Sequence, residues 1–365
     1  MTSMKTWNRI GMHKSELATP ILMINLDTME RNLKKMSDFF HSVKANLRPH
    51  TKTHKTPALA HKQIEYGAKG ICCGTLGEAE VMISSGIRDV LITREIVSPE
   101  QIEVATSLAK HSDVIVLVDD SEVAEKLSSA AQNKGSRIRT MIDVRCRLDR
   151  SGVTPLEPCL SLARKMTKLK GIDFVGLAGY EGSMHGWEND RREKACREAL
   201  ASLIETKELI EKDGIEVSIV SAGATSTYKT AGTFPGITEI QAGTYITMDD
   251  EYYGFFPEFE IALSVLTTVI SRPSRKVVTT DAGCKKLTTD EGMPVPKDKE
   301  AVKITALNEE HGVLELIDQE KAMRVGEKIE IVPSHGCTTF NLYDQVLGMR
   351  NDRVEIIWDI AGRGC

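Results

Sequence analysis

The sequence is short of several things. Aromatic residues make up 5% of its 365 positions, with three tryptophans. No apolar run approaches the roughly 20 residues that span a bilayer, and the first residues, MTSMKTWNRIGMHKSEL, lack the apolar core of a secretory signal. The eight cysteines follow neither C-x-x-C spacing nor a regular framework, which speaks against a structural zinc module or a disulfide scaffold and for a reducing, cytoplasmic setting. Charge of one sign is also missing. The formal net charge is −5 and basic stretches such as SRPSRK (271–276) are brief, so neither nucleic acid nor an anionic membrane is expected as a partner. Hydrophobic residues at 41% and charged residues at 27% are those of a globular protein with ordinary cores.

What is present is alternation. Between residues 46 and 248 lie eight short runs rich in Val, Ile or Thr: 46–52, 70–75, 89–95, 113–120, 139–145, 173–182, 217–224 and 238–248. The segments between most of them repeat apolar residues at three- and four-residue steps and end in glycine, as helices do. SPEQIEVA opens like a helix, with Ser98 at the cap and Pro99 in the first turn. The seventh connection, TSTYKTAGTFPG, has room for one short helix. Eight strands separated by helices predict a (β/α)₈ TIM-type barrel rather than an open doubly wound sheet. Upstream, residues 19–40 add a strand and a strongly periodic helix. From 256 onward the runs are short, β-branched and divided by turn residues, which predicts an all-β C-terminal domain. The expected boundaries are 18–255 for the barrel and 256–365, with 1–17, for the β domain.

In such a barrel, functional groups sit where strands end. The first strand ends at Lys52, Thr53 and His54, within NLRPHTKTHK. The third ends at Arg94 and Glu95, and the fourth at Asp119 and Asp120. The fifth runs into Arg145, Arg147 and Arg150, and the sixth ends at Tyr180 and Glu181. The seventh gives Ala222, Gly223, Ala224, Thr225 and Ser226, and the eighth Gln241, Gly243 and Tyr245. A lysine among apolar walls and other cations sheds its charge more easily, which suits bonding to a carbonyl; a solvated basic loop is the competing reading. Lys55 opens the next helix and is expected to face solvent. The turn SAGATST lets backbone N–H groups approach a ligand and adds hydroxyls, a pattern that favours phosphate, although a tight capped turn reads the same. In VPSHGCTTFNLYD, His335 and Cys337 stand two apart. An extended segment would put both on one face, where imidazole and thiolate could share a cation such as Zn²⁺ and leave open positions for water or substrate. A packed histidine beside a buried cysteine is the alternative.

These stretches together resemble the D-threonine aldolase/D-serine dehydratase family, whose members pair an alanine-racemase-like barrel with a C-terminal β domain. The resemblance runs through TPILMINLDTMERNL, LRPHTKTHK, GAKGICC, RSGV, TEIQAGTYITMD, TDAGCKK, NEEHG, VPSHGCTTFNLYD and IWDIAGRG, in order and over both domains. It implies pyridoxal phosphate bonded to Lys52, Arg150 near the cofactor's phenolic oxygen and Tyr180 along the ring. Phosphate would be held by Gly223, Ala224 and Thr225 with Tyr245, next to Gln241 and Gly243. A divalent metal (zinc, manganese or magnesium) would sit on His335 and Cys337, with His54 nearby, and the chain would form a homodimer. The implied activity is cleavage of a small β-hydroxy-D-amino acid to glycine and an aldehyde. Elimination to a 2-oxo acid and ammonia is the alternative. Racemisation and non-catalytic carriage of pyridoxal phosphate fit less well. Two departures stand out. The family's aldolases usually show His-x-Asp at the metal pair, whereas its dehydratases show His-x-Cys, as here. The sixth-strand motif reads GYEGSMHG, with Glu181 where a first histidine is usual and His185 shifted by one. The general base is then His54 or His185.

Overall fold

In this computed structural model, residues 8–182, 184, 186–297, 302–317 and 323–365 are described. The first half of the chain runs β1 (Ile21–Asn25), α1 (Leu26–Ser42), β2 (Asn46–Leu47), α2 (Pro57–Glu65), β3 (Ile71–Cys73), α3 (Leu76–Ser84), β4 (Asp89–Ile92), α4 (Pro99–Leu108), β5 (Asp113–Val118) and α5 (Ser121–Asn133). Then come β6 (Ile138–Asp143), α6 (Glu157–Met166), β7 (Ile172–Gly179), α7 (Asn189–Lys212), β8 (Ile219–Ala222), α8 (Tyr228–Gly232), β9 (Glu239–Ile240) and α9 (Asp250–Phe255). The remainder is β10 (Leu263–Ser271), β11 (Val277–Thr280), β12 (Val295–Pro296), β13 (Val302–Leu307), β14 (Gly312–Leu316), β15 (Lys328–Val332), α10 (Gly336–Phe340), β16 (Gln345–Arg350) and β17 (Arg353–Asp359). No described helix is long and apolar enough to cross a membrane.

The chain divides into two compact units. One comprises residues 35–52, 57–243 and 365. Its eight strands form a parallel sheet in the order β2-β9-β8-β7-β6-β5-β4-β3. A parallel bridge between His50 and Cys72 joins β2 to β3 and brings the ends of the sheet together. Runs such as DVIVLV in β5 are buried almost throughout, as expected for parallel strands covered on both faces. Their inner layer is filled by Cys72, Leu91, Ile115, Met141, Ala178 and Ile219. Helix starts follow local chemistry: the Ser98 hydroxyl accepts the Gln101 N–H at 3.2 Å, and the Asp120 carboxylate caps α5 through the N–H groups of Glu122 and Val123.

Where the strands begin, the barrel buries a charge. Arg48 has no exposed surface. Its Nε donates to Glu239 at 2.9 Å and its Nη1 to Asp89 at 2.6 Å. Asp89 opens β4 and Glu239 opens β9. Arg48 therefore ties the strands together at the stability face, opposite the strand ends that carry chemistry.

The second unit comprises residues 1–34, 53–56 and 244–364. Its sheet runs β13-β14-β11-β10-β1-β16-β17, with β15 on β10 and β12 on β15. Strand β1 pairs antiparallel with β10 and parallel with β16, so the strand predicted upstream of the barrel belongs to this sheet. Its core gathers Leu17, Ile21, Met23, Leu266, Leu347, Met349 and Val354.

Candidate active site

Lys52 lies in a tight turn, Thr51–Thr53, just beyond β2, with its side chain exposed. Thr51 anchors that turn: its buried hydroxyl lies 2.5 Å from the Glu78 carboxylate and 2.9 Å from the Cys72 carbonyl. Gly74 is its neighbour: a Cβ there would stand 3.4 Å from Lys52 Cβ, an ordinary contact. His50, on the same rim, places Nε2 3.0 Å from the Thr93 hydroxyl. Lys55 sits outside regular structure at φ +50°, ahead of α2.

Arg150 and Tyr180 are brought together: the guanidinium carbon stands 5.3 Å from the centre of the phenol ring, a cation–π arrangement that orients both groups. A recess is lined by Asp143, Cys146, Arg150, Ser151 and Tyr180. The loop carrying Arg150 is pinned at its base. Ser151 donates its hydroxyl to Asp143 at 2.8 Å, and the Gly152 N–H reaches Asp119 at 3.2 Å. Gly152 takes φ +95°, and a Cβ there would lie 2.9 Å from the Arg145 nitrogen, so only glycine fits the bend. Burial raises the Asp143 carboxyl, helped by the hydrogen bond and charge of Glu95 and the charge of Asp119, against the Ser151 hydrogen bond.

The turn after β8 is tighter than its sequence suggests. Gly223 adopts φ +83°, and a Cβ would meet Ile240 Cγ2 at 2.9 Å. Yet its N–H donates to Glu181 Oε2 at 3.1 Å, and the Ala224 N–H donates to the Thr227 hydroxyl at 2.9 Å. Both N–H groups expected to cradle phosphate are thus engaged inside the turn. Thr225 and Ser226, both buried, supply its hydroxyls. Glu181 is wholly buried and also hydrogen-bonds the Thr227 hydroxyl. Burial raises its carboxyl, opposed by those hydrogen bonds and the nearby Arg147 charge. It fastens the sixth barrel strand's end to the turn. Gln241 donates to the Ser221 hydroxyl at 2.9 Å, and Gly243 is buried. Tyr245 is 1% exposed, in the turn Thr244–Ile246, with its ring centre 5.8 Å from that of Phe259.

In the β unit, the backbone is extended only as far as His335; α10 starts at Gly336. His335 and Cys337 therefore stand at the first turn of a helix rather than along a strand. His335 Nδ1 lies 2.6 Å from Asp290 Oδ2. Burial opposes the ring's charge, but Cys337 and Asp290 outweigh it and raise His335 to about 10. Asp249 accepts the Gly336 N–H at 2.8 Å and the Tyr252 N–H at 3.0 Å, and burial pushes its carboxyl up to about 6. Among the described residues no group of three or more His, Cys, Asp or Glu is arranged to hold a metal; His335 and Cys337 are a two-donor pair. His54 is fully buried, and its Nδ1 accepts the Thr56 N–H at 3.1 Å. His185 lies outside the described residues.

The sequence reading missed Asp143 and Asp290. Asp143 lies inside the predicted run 139–145, and only in the structure does it close the strand β6 as a strand-end carboxylate. Asp290 stands in TTDEGMP with no local pattern to mark it.

The rim of the barrel thus offers a primary amine, a guanidinium stacked on a phenol, and a close-packed hydroxyl-bearing turn, groups that suit a phosphorylated pyridine aldehyde. The imidazole and thiol of the β unit suit a borderline cation. The chain matches the alanine racemase N-terminal domain over residues 24–251 and a putative serine dehydratase domain over 262–349. The class is therefore that of alanine-racemase-like barrels with a dehydratase-type β domain. A D-threonine aldolase of Arthrobacter sp is 34% identical over 95% of this chain and 93% of its own. A 3-hydroxy-D-aspartate aldolase of Paracoccus denitrificans is 33% identical over 97% and 94%. The crystal structure of D-threonine aldolase from Filomicrobium marinum superposes with a TM-score of 0.95 at 36% identity, covering 98% of both chains. This chain belongs to the D-threonine aldolase/D-serine dehydratase family of pyridoxal-phosphate-dependent enzymes.

Proposed function

We propose that this protein is a lyase of β-hydroxy-D-amino acids that uses pyridoxal phosphate and a divalent cation to release glycine and an aldehyde. The observation that carries this reading is the agreement, across 98% of both chains, with a D-threonine aldolase. When bound, the pyridoxal ring acts as an electron sink for the bond broken at the substrate's α-carbon.

The protein's own residues supply the rest. The Lys52 amine holds the cofactor aldehyde. Arg150, kept in place by Tyr180 and by the pinned loop at Ser151 and Gly152, orients the ring oxygen. Thr225, with Gly223 and Ala224 shaping the turn, receives the phosphate together with Tyr245, and Gln241 and Gly243 complete that rim. His335 and Cys337 would hold zinc, manganese or magnesium, which would supply Lewis acidity toward the substrate hydroxyl. The base that takes the hydroxyl proton is His54 or His185, the two histidines the family resemblance leaves in that role. The eight cysteines, without C-x-x-C spacing or a regular framework, support a reducing, cytoplasmic setting, and the family resemblance supports a homodimer.

Cys337 favours a second reading, elimination to a 2-oxo acid and ammonia, because its thiol stands where the family's aldolases usually carry an aspartate. Product analysis separates the two. D-Threonine with the metal-loaded holoprotein is expected to give glycine and acetaldehyde; 2-oxobutanoate and ammonia would establish the elimination instead.

A further inference from the structure

The imidazole of His335 is held from its far side. Asp290, in the loop between β11 and β12, brings Oδ2 to 2.6 Å from His335 Nδ1. Its other oxygen accepts the Thr338 hydroxyl at 2.9 Å. Thr338 is itself fixed, with its hydroxyl 2.8 Å from that of Thr288. Ser334, just before the histidine, donates to the Gly292 carbonyl at 2.8 Å and thereby stitches the chain ahead of His335 to the loop that bears Asp290. The carboxylate is oriented before it meets the ring.

An ionised carboxylate only accepts hydrogen bonds, so the Nδ1 facing it carries a proton. That leaves Nε2, on giving up any proton of its own, as the nitrogen able to give a lone pair to a cation. We infer that Asp290 is the positioning residue of the metal pair: it fixes the tautomer and rotation of His335 so that Nε2 is presented alongside Cys337. The inference rests on the metal reading above, and it deepens that reading by naming the group behind the first ligand. Partners of this kind, hydrogen-bonded to the far nitrogen of a ligating histidine, change metal affinity by roughly ten- to hundredfold when removed.

The experiment uses the full-length holoprotein and Zn²⁺ alone, titrated against a chromophoric chelator, for the native protein, Asp290→Ala, Asp290→Asn and His335→Ala. Alongside, the downfield imidazole N–H proton resonance of His335 is followed in metal-free protein, with melting temperature as the check on folding. Asp290→Ala is expected to weaken Zn²⁺ binding roughly ten- to hundredfold and to abolish the resonance. Asp290→Asn, which keeps an acceptor oxygen, restores most of the affinity. If Asp290→Ala proves unstable, Thr338→Val loosens the same carboxylate and is expected to weaken Zn²⁺ in the same direction. Unchanged Zn²⁺ affinity in folded Asp290→Ala, or a resonance indifferent to that substitution, overturns the inference. If the native protein binds no Zn²⁺ but the resonance depends on Asp290, the metal reading fails while the positioning of the ring stands.

Discussion

Glu181 Oε2 accepts the Gly223 N–H at 3.1 Å, so a buried carboxylate closes the turn to which the family resemblance assigns phosphate. The residue that departs from the usual sixth-strand histidine is thus turned into the protein, where it links the end of β7 to the start of α8. Replacing it with alanine leaves a buried N–H without an acceptor, which costs about 1–3 kcal/mol. Glu181→Ala is expected to lose that much stability in urea denaturation and to bind pyridoxal phosphate more weakly in a fluorescence titration. Glu181→Gln, which keeps an acceptor, is expected to recover most of both.

The ion cluster at the other end of the barrel makes a prediction about folding alone. Arg48 has two carboxylate partners and no exposed surface. Arg48→Met leaves Glu239 buried without its cation, and breaking a buried pair in this way costs about 3–5 kcal/mol. The midpoint of chemical denaturation is expected to fall accordingly. Cofactor absorption per folded molecule should stay unchanged, because Asp89 and Glu239 open their strands rather than end them.

Asp143 makes stability depend on pH. Burial, with Glu95 and Asp119 close by, raises its carboxyl from 3.8 to about 7. Between those values the native state holds a proton that the unfolded chain has released, so the stability contributed by this group is full at low pH and is lost as pH rises through about 7. Asp143→Asn cannot ionise and is expected to flatten that part of the stability–pH curve, measured by urea denaturation between pH 5 and 8. A curve as steep as the native one would place the titration elsewhere.

Metal removal tests the β unit. Chelation is expected to abolish cleavage of D-threonine while leaving the cofactor's visible absorption in place. His335→Ala and Cys337→Ala should each behave like the chelated protein, at least tenfold down in turnover by loss of a ligand. Full activity in either variant would remove that residue from the metal pair.

The barrel was legible because its strands advertise themselves locally. DVIVLV and DVLI are β-branched, short and bounded by turns, and both are buried strands. The ends of the barrel were less so. Strand β2 has two residues and β9 two, far fewer than the runs 46–52 and 238–248 imply, because Pro49 has no N–H to give a ladder and the chain turns tightly at Thr51–Thr53 and at Thr244–Ile246. The basic cluster at 46–55 looked like one feature, yet it is two: Arg48 is buried by carboxylates 41 and 191 residues away, and Lys52 reaches solvent. His335 and Cys337 could be read from neighbouring positions, whereas Asp290, 45 residues before His335, could not. Local pattern reveals what one segment does with its own residues; partners supplied by distant loops leave no mark on it.

The account's central claim is that Lys52 carries the cofactor. Borohydride reduction of the pyridoxal-phosphate-loaded protein, followed by peptide mass mapping, reads this directly. The account predicts one phosphopyridoxyl group on the peptide bearing Lys52, absent from Lys52→Ala. Modification at Lys55 or another lysine, or none at all, would contradict it.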